Sequence, residues 1–145
     1  MIRLVKESLN EFGKGNDPLK TMGLGKISEI REFFRSLNIS DDNYLVNNET
    51  GKIHYLDNLN LDNTNITYLP DNLHISGFLS LEDNMDLTNL PENLTVAGSI
   101  YLGSTNITEL PEGTNIMQNI YLYKSQVELK TWLKKSIYYG QILFY

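Results

Sequence analysis

A unit of 20 or 21 residues returns three times in the middle of this chain, and a fourth copy begins before the pattern fades. Asn58–Asn72, Phe78–Asn93 and Ser99–Gly113 align with one extra residue in the second, followed by a degenerate copy from Asn119 to Val127. The anchors Leu59, Leu79, Ile100 and Ile120 step by 20, 21 and 20, and Pro70, Pro91 and Pro111 by 21 and 20. Leucines, prolines and Thr/Asn turn residues return together, a coincidence of three chemistries that chance does not supply. A period of this length makes one supersecondary unit that cannot bury its apolar face alone, so neighbouring units must stack into a solenoid.

The pattern within a unit sets its local form. In Leu59-Asn60-Leu61 and its copies the leucines alternate with other residues, which is the period of a strand with one buried face. Thr64, Asn84, Thr105 and Ser125 come three residues after the second apolar anchor, where short polar side chains bond to nearby backbone as the chain turns. Ile66, Leu87, Ile107 and Val127 re-enter the core, and Leu-Pro closes the coil because proline offers no donor to a ladder. Leu73-His74-Ile75, Leu94-Thr95-Val96 and Thr114-Asn115-Ile116 form a second, narrower alternating run. Gly77 and Gly98 mark a corner. The extra residue of the second unit falls between Asn84 and Leu87, so a small bulge is expected at Met85 or Asp86.

A stack exposes apolar ends and needs covering. Ile27, Ile30, Phe33, Phe34 and Leu37 share one face of a helix predicted over Lys26–Leu37, with Asn38 as its stop. A second helix is predicted from Val127 to Tyr139, with Leu129, Trp132, Leu133 and Ile137 on one face and Gly140 as its breaker; Gln141–Tyr145 then trails on. The expected organisation is a leader or arm at 1–25, an N-terminal helical cap at 26–45, a solenoid at 46–127 and a C-terminal helical cap and tail at 128–145. The fold class is α+β, a leucine-rich-repeat-like stack of about four coils.

The Leu-x-Leu-x-x-Thr-x-Ile-Thr-x-Leu-Pro unit resembles the repeat of short leucine-rich-repeat proteins of bacteria and their phages. It is also similar to the Leu-Pro repeats of secreted bacterial effectors, which usually carry a further catalytic or helical domain with no counterpart in this sequence. The resemblance covers about residues 46–127. The leader from Lys6 to Gly25 resembles leaders on proteins of gut-bacterial phages, which implies a phage origin and brings no catalytic residues.

Charge narrows the partners. Residues 46–123 hold ten Asp/Glu against the single lysine Lys52, a net charge of −9. A phosphate backbone is bound by Lys/Arg displacing counterions, so direct nucleic-acid binding by this block is not expected, whereas a basic protein surface suits it. There are no cysteines to suggest disulfides or thiolate metal sites. With no apolar run of signal-peptide or membrane-span length, the expected location is the cytoplasm, that of a host cell if the chain is phage-encoded.

Catalytic motifs are weak. His54 and His74 lie at similar points of adjacent coils and read as a surface column. Glu82, Asp83 and Asp86 lack the spacing of a calcium loop. Gly23-Leu24-Gly25-Lys26 lacks the first glycine and the Ser/Thr of a phosphate loop. The expectation is a non-enzymatic module without cofactor or metal.

Its lead is the outward row of the main strands: Asn60, Ser80, Tyr101 and Tyr121, with a parallel row of Asp62, Glu82, Gly103 and Tyr123. Tyrosine gives rigid contact area with a polar tip. The tyrosines either meet a partner or pack under the C-terminal helix. Partner binding is expected at Tyr101, Tyr121, Tyr123, Asn60, Ser80, Asp62 and Glu82, the partner being a basic protein and the role that of an anti-defence inhibitor. The alternative is a virion protein anchored through its termini.

Overall fold

The computed structural model describes residues 24–123, 137–138 and 140–145. The leader expected at 1–25 lies outside these residues except at its last two positions. The first described element is a helix, α1 (Leu24–Ser36). Its Ile27, Ile30, Phe33 and Phe34 fall on one face and are all buried. Asn38 ends it in the left-handed region at φ 58°, a conformation that asparagine tolerates better than most residues. Phe34 packs on Tyr44 and Tyr55 at ring-centroid distances of 4.3 and 6.0 Å, and Phe33 lies 5.2 Å from Tyr68, so α1 is laid against the first coil. Arg35 Nη2 then meets Asp41 Oδ2 at 2.7 Å, which fixes the turn leading away from the helix.

After a short 3-10 turn at Asp41–Asn43, the other described elements form a β-solenoid of about four coils built from two sheets. One sheet contains β1 (Tyr44–Val46), β2 (Ile53–Tyr55), β4 (Leu73–Ile75), β6 (Thr95–Val96), β8 (Asn115–Ile116) and β10 (Ile137–Tyr138), in that spatial order. The other contains β3 (Leu59–Asn60), β5 (Leu79–Ser80), β7 (Ile100–Tyr101), β9 (Ile120–Leu122) and β11 (Ile142–Phe144). Apart from the β1–β2 hairpin every pairing is parallel. The first sheet is the narrow alternating run of the sequence, and the second is the Leu-x-Leu run.

Between the sheets the apolar anchors line up in columns. Leu59, Leu79, Ile100 and Ile120 form one and Leu61, Leu81, Leu102 and Leu122 the next, none more than 2% exposed. Each such side chain contributes about 2 kcal/mol by leaving water. Ile66, Leu87 and Ile107 re-enter the core as expected, and Leu87 is fully buried although the nearby Met85 is 65% exposed. The extra residue of the second unit is thus turned out into solvent. At the turn column, Thr64 Oγ1 donates to Leu61 O (2.7 Å) and Thr105 Oγ1 to Leu102 O (2.8 Å). Asn84, their counterpart, is fully buried. Its Nδ2 donates to Leu61 O and Leu81 O (both 2.9 Å), and its Oδ1 accepts from the Thr64 and Ile66 amides (both 3.2 Å).

The corners use left-handed residues at repeating positions. Asn63, Asp83 and Ser104 turn the chain after the Leu-x-Leu strands, and Asn72, Asn93 and Gly113 turn it before the narrow strands, all with φ between 53° and 83°. The Gly77–Gly98 corner works differently. There one coil lies directly on the next, the Gly98 amide donating to Gly77 O at 2.8 Å. A Cβ on Gly98 would stand 2.8–2.9 Å from backbone atoms of Phe78 and Gly77.

The C-terminal end departs from the sequence reading. The helix expected over Val127–Tyr139 lies mostly outside the described residues, but Ile137–Tyr138 within it is a strand, paired with Asn115–Ile116. The tail expected to trail on is also a strand. Ile142, Leu143 and Phe144 pair with Ile120, Tyr121 and Leu122, and Asn119 Oδ1 accepts the Gln141 amide at 2.9 Å. The last residues therefore extend both sheets by one rung.

Candidate functional site

The outer face of the Leu-x-Leu sheet carries the rows singled out in the sequence. Register places Asn60, Ser80, Tyr101, Tyr121 and then Leu143 side by side. Strand spacing of about 4.8 Å suits stacking of rings on successive rungs. Tyr101 and Tyr121 stack with centroids 4.6 Å apart and planes 4° from parallel. Phe78 stands edge-on to Tyr101 at 5.9 Å, and Tyr145 meets Tyr123 edge-on at 4.8 Å and lies 6.4 Å from Tyr121. The result is an aromatic ledge over the C-terminal rungs.

Gly103 is its floor. A Cβ there would lie 2.8 Å from Tyr145 Oη, 2.9 Å from Glu82 Oε1 and 3.2 Å from Tyr123 Cζ. The absence of a side chain lets a carboxylate from one side and two tyrosines from the other converge over one residue. Burial pushes the Glu82 carboxyl above its ordinary range, and the neighbouring Asp62 and Asp83 add to the shift. Burial likewise raises the Tyr101 phenol, followed by Tyr121 and Glu82.

The polar members of the rows have structural tasks. Asn60 Oδ1 accepts the Asp62 amide at 2.9 Å. Asp62 Oδ1 accepts the Ser80 hydroxyl at 2.6 Å and the Glu82 amide at 2.9 Å. Ser80 is only 5% exposed, so the expectation that it faces outward holds for its direction but not for its accessibility. Asn60, Asp62 and Ser80 hold the rungs that present Glu82, while Tyr101, Tyr121 and Tyr123 are half-buried on the ledge.

Phe78 and Tyr145 stand outside the set expected from the sequence. A signal for Tyr145 exists: Gly140-Gln141-Ile142-Leu143-Phe144-Tyr145 matches Gly98-Ser99-Ile100-Tyr101-Leu102-Gly103 position for position, at a step of 22 from Ile120 to Ile142. The helical spacing of Leu129, Trp132, Leu133 and Ile137 obscures it.

A carboxyl raised above its unfolded value favours the fold in its protonated form. Glu82 therefore adds stability below about pH 4.5, and that increment is lost as pH rises through its higher folded value. Glu82→Gln is accordingly expected to be more stable than the native chain at pH 7, with the difference shrinking towards pH 4. Urea melts at the two pH values measure it, and a variant less stable at pH 7 would contradict the charge argument.

On the opposite sheet His54 and His74 do form a pair, edge to face at 4.6 Å between ring centroids. Among the described residues no group of three or more His, Cys, Asp or Glu side chains is placed to hold a metal ion, and no helix is long and apolar enough to cross a membrane. No protein-family model, no curated protein and no solved structure matches the chain.

Proposed function

We propose that the chain is a non-enzymatic binding module that takes a basic protein surface against the outer face of the Leu-x-Leu sheet. The observation that carries this reading is the convergence of Tyr123 and Tyr145 with the Glu82 carboxylate around Gly103, beside the stacked Tyr101 and Tyr121. Tyrosines of this kind supply much of the contact energy in protein interfaces, and a partly desolvated carboxylate beside them selects a guanidinium or ammonium group. The net charge of −9 over residues 46–123 steers such a partner towards the face.

The recurrence of Leu-x-Leu with Leu-Pro supports reading the coils as a short leucine-rich-repeat stack, with α1 acting as its N-terminal cap. The phage-type leader makes a host protein the expected partner, whose basic surface would be occluded by the complex.

An affinity pull-down from host lysate tests this, with the native chain beside Tyr101→Ala/Tyr121→Ala and melts to establish that the variant folds. The expected result is a basic protein captured by the native chain, lost from the variant, and released as salt rises from about 0.1 to 0.5 M, where screening shortens the reach of charge. A partner kept by the variant and indifferent to salt would refute the proposal. Capture of particle proteins in its place would favour the virion role.

A further inference from the structure

The other sheet carries a groove of about 540 Å³ on its outer face, running across β2, β4, β6 and β8. Lys52, His54 and His74 line one end, and Asn93, Thr95 and Asn115 continue it. Lys52, His54 and His74 are also the only basic side chains in residues 46–123. The same block holds ten carboxylates, yet none lines the groove. Three scarce residues gathered in one hollow, with the abundant type absent from it, is a segregation that the repeat alone does not require.

The local geometry suits a small acceptor group. His54 and His74 are register partners on adjacent strands, and His54 Nε2 lies 2.6 Å from Ser76 Oγ. Across the sheet His54 faces Leu45 of β1 on one side and His74 on the other; Thr95 and Asn115 follow in the same row. Among the described residues, Lys52 is the one permanent charge lining the groove, beside the two imidazoles. Asp71, next to the groove residue Asn72, lines the hollow beneath α1 and accepts the Glu92 amide at 2.9 Å.

We propose that this groove holds a phosphate or carboxylate group at its Lys52–His54–His74 end, with a polar remainder of the ligand lying along Asn93, Thr95 and Asn115. Lys52 supplies a fixed charge, and the imidazoles supply N–H donors whose number rises on protonation. The amide and hydroxyl side chains further along suit hydroxyl groups, so a phosphorylated or uronic sugar has the right chemistry. Burial and the neighbouring His54 hold His74 below its ordinary value in the free protein. An anion beside both rings offsets that repulsion, so binding takes up protons and tightens as pH falls.

The chain has two histidines, so its imidazole Cε1–H protons give two assignable signals. These are followed by NMR while inorganic phosphate, glucuronate or glucose is added. Glucuronate keeps a constant charge over the range and reads the pH dependence cleanly. Both anions are expected to move both signals saturably and glucose to move neither. Glucuronate should bind about tenfold more tightly at pH 5.5 than at pH 7.5. Lys52→Gln should weaken binding severalfold, and His54→Gln/His74→Gln should abolish its pH dependence.

All three side chains are exposed, so these variants retain the fold, and a thermal melt verifies it. Three results would overturn the proposal: shifts no larger than sodium chloride gives at equal ionic strength, binding unchanged in the combined variant of all three residues, or binding that requires a divalent metal and strengthens as pH rises.

Discussion

Asn84→Ala is expected to cost the fold on the order of 4 kcal/mol, because it leaves buried backbone groups without partners. The side chain is fully buried, donates to the Leu61, Leu81 and Glu82 carbonyls and accepts from two amides of the preceding coil. Leu61 O keeps a second donor in Thr64 Oγ1 at 2.7 Å, so the loss falls mainly on Leu81 O and the Ile66 amide. A loss of that size lowers the melting temperature of a domain this long by roughly 10–15 °C. Asn84→Thr, which installs the residue of the flanking coils, restores a hydroxyl to bond Leu81 O as Thr105 bonds Leu102 O. It should recover part of the loss. Urea denaturation of the three proteins ranks them, and an alanine variant within about 1 kcal/mol of the native chain would show that water replaces the amide without penalty.

Gly98→Ala is expected to be nearly as damaging, at about 3 kcal/mol, because the new methyl group would overpack a fixed backbone. The atoms it meets at 2.8–2.9 Å are the Phe78 amide nitrogen and the Gly77 carbonyl group, none of which can rotate away. The coils would have to part, stretching the Gly98 to Gly77 hydrogen bond. Gly51→Ala is the informative control. Gly51 has a left-handed φ of 72°, but a methyl group placed on it would meet no atom within 4 Å. Its variant should lose only about 1 kcal/mol, the cost of forcing alanine into that region. Equal losses at the two sites would mean that conformational strain, and not coil spacing, sets the glycine requirement.

Much of this architecture is legible in the sequence because it is written as columns. Leu59, Leu79, Ile100 and Ile120 have the same job in successive coils, and the repeat step alone places them side by side. The same step puts Tyr101 next to Tyr121 and His54 next to His74. What it does not convey is depth. Ser80 faces outward yet is buried, since Asp62 and its neighbours close over it. Asn84 occupies a turn position like Thr64, but its longer side chain reaches two coils and becomes a buried node. The last rung is hidden for another reason. Residues 128–136 have no Leu-Pro closure and their apolar residues fall at helical spacing, so local periodicity outweighs the return of the strand pattern at Ile142. Tyr145, the residue that completes the aromatic ledge, is obscured with it.

Parallel registers of 20 to 22 residues also bear on how the chain acquires its form. Each strand finds its partner one coil back and never further, so the typical sequence separation is ~0.14 of the chain length, modest for an all-parallel arrangement. Once α1 and the β1–β2 hairpin have formed a first surface, every later coil can add to a finished template. The topology thus allows growth from the N-terminus in the order of synthesis, in which a nascent chain need never hold an unpaired strand for longer than it takes to make about twenty residues.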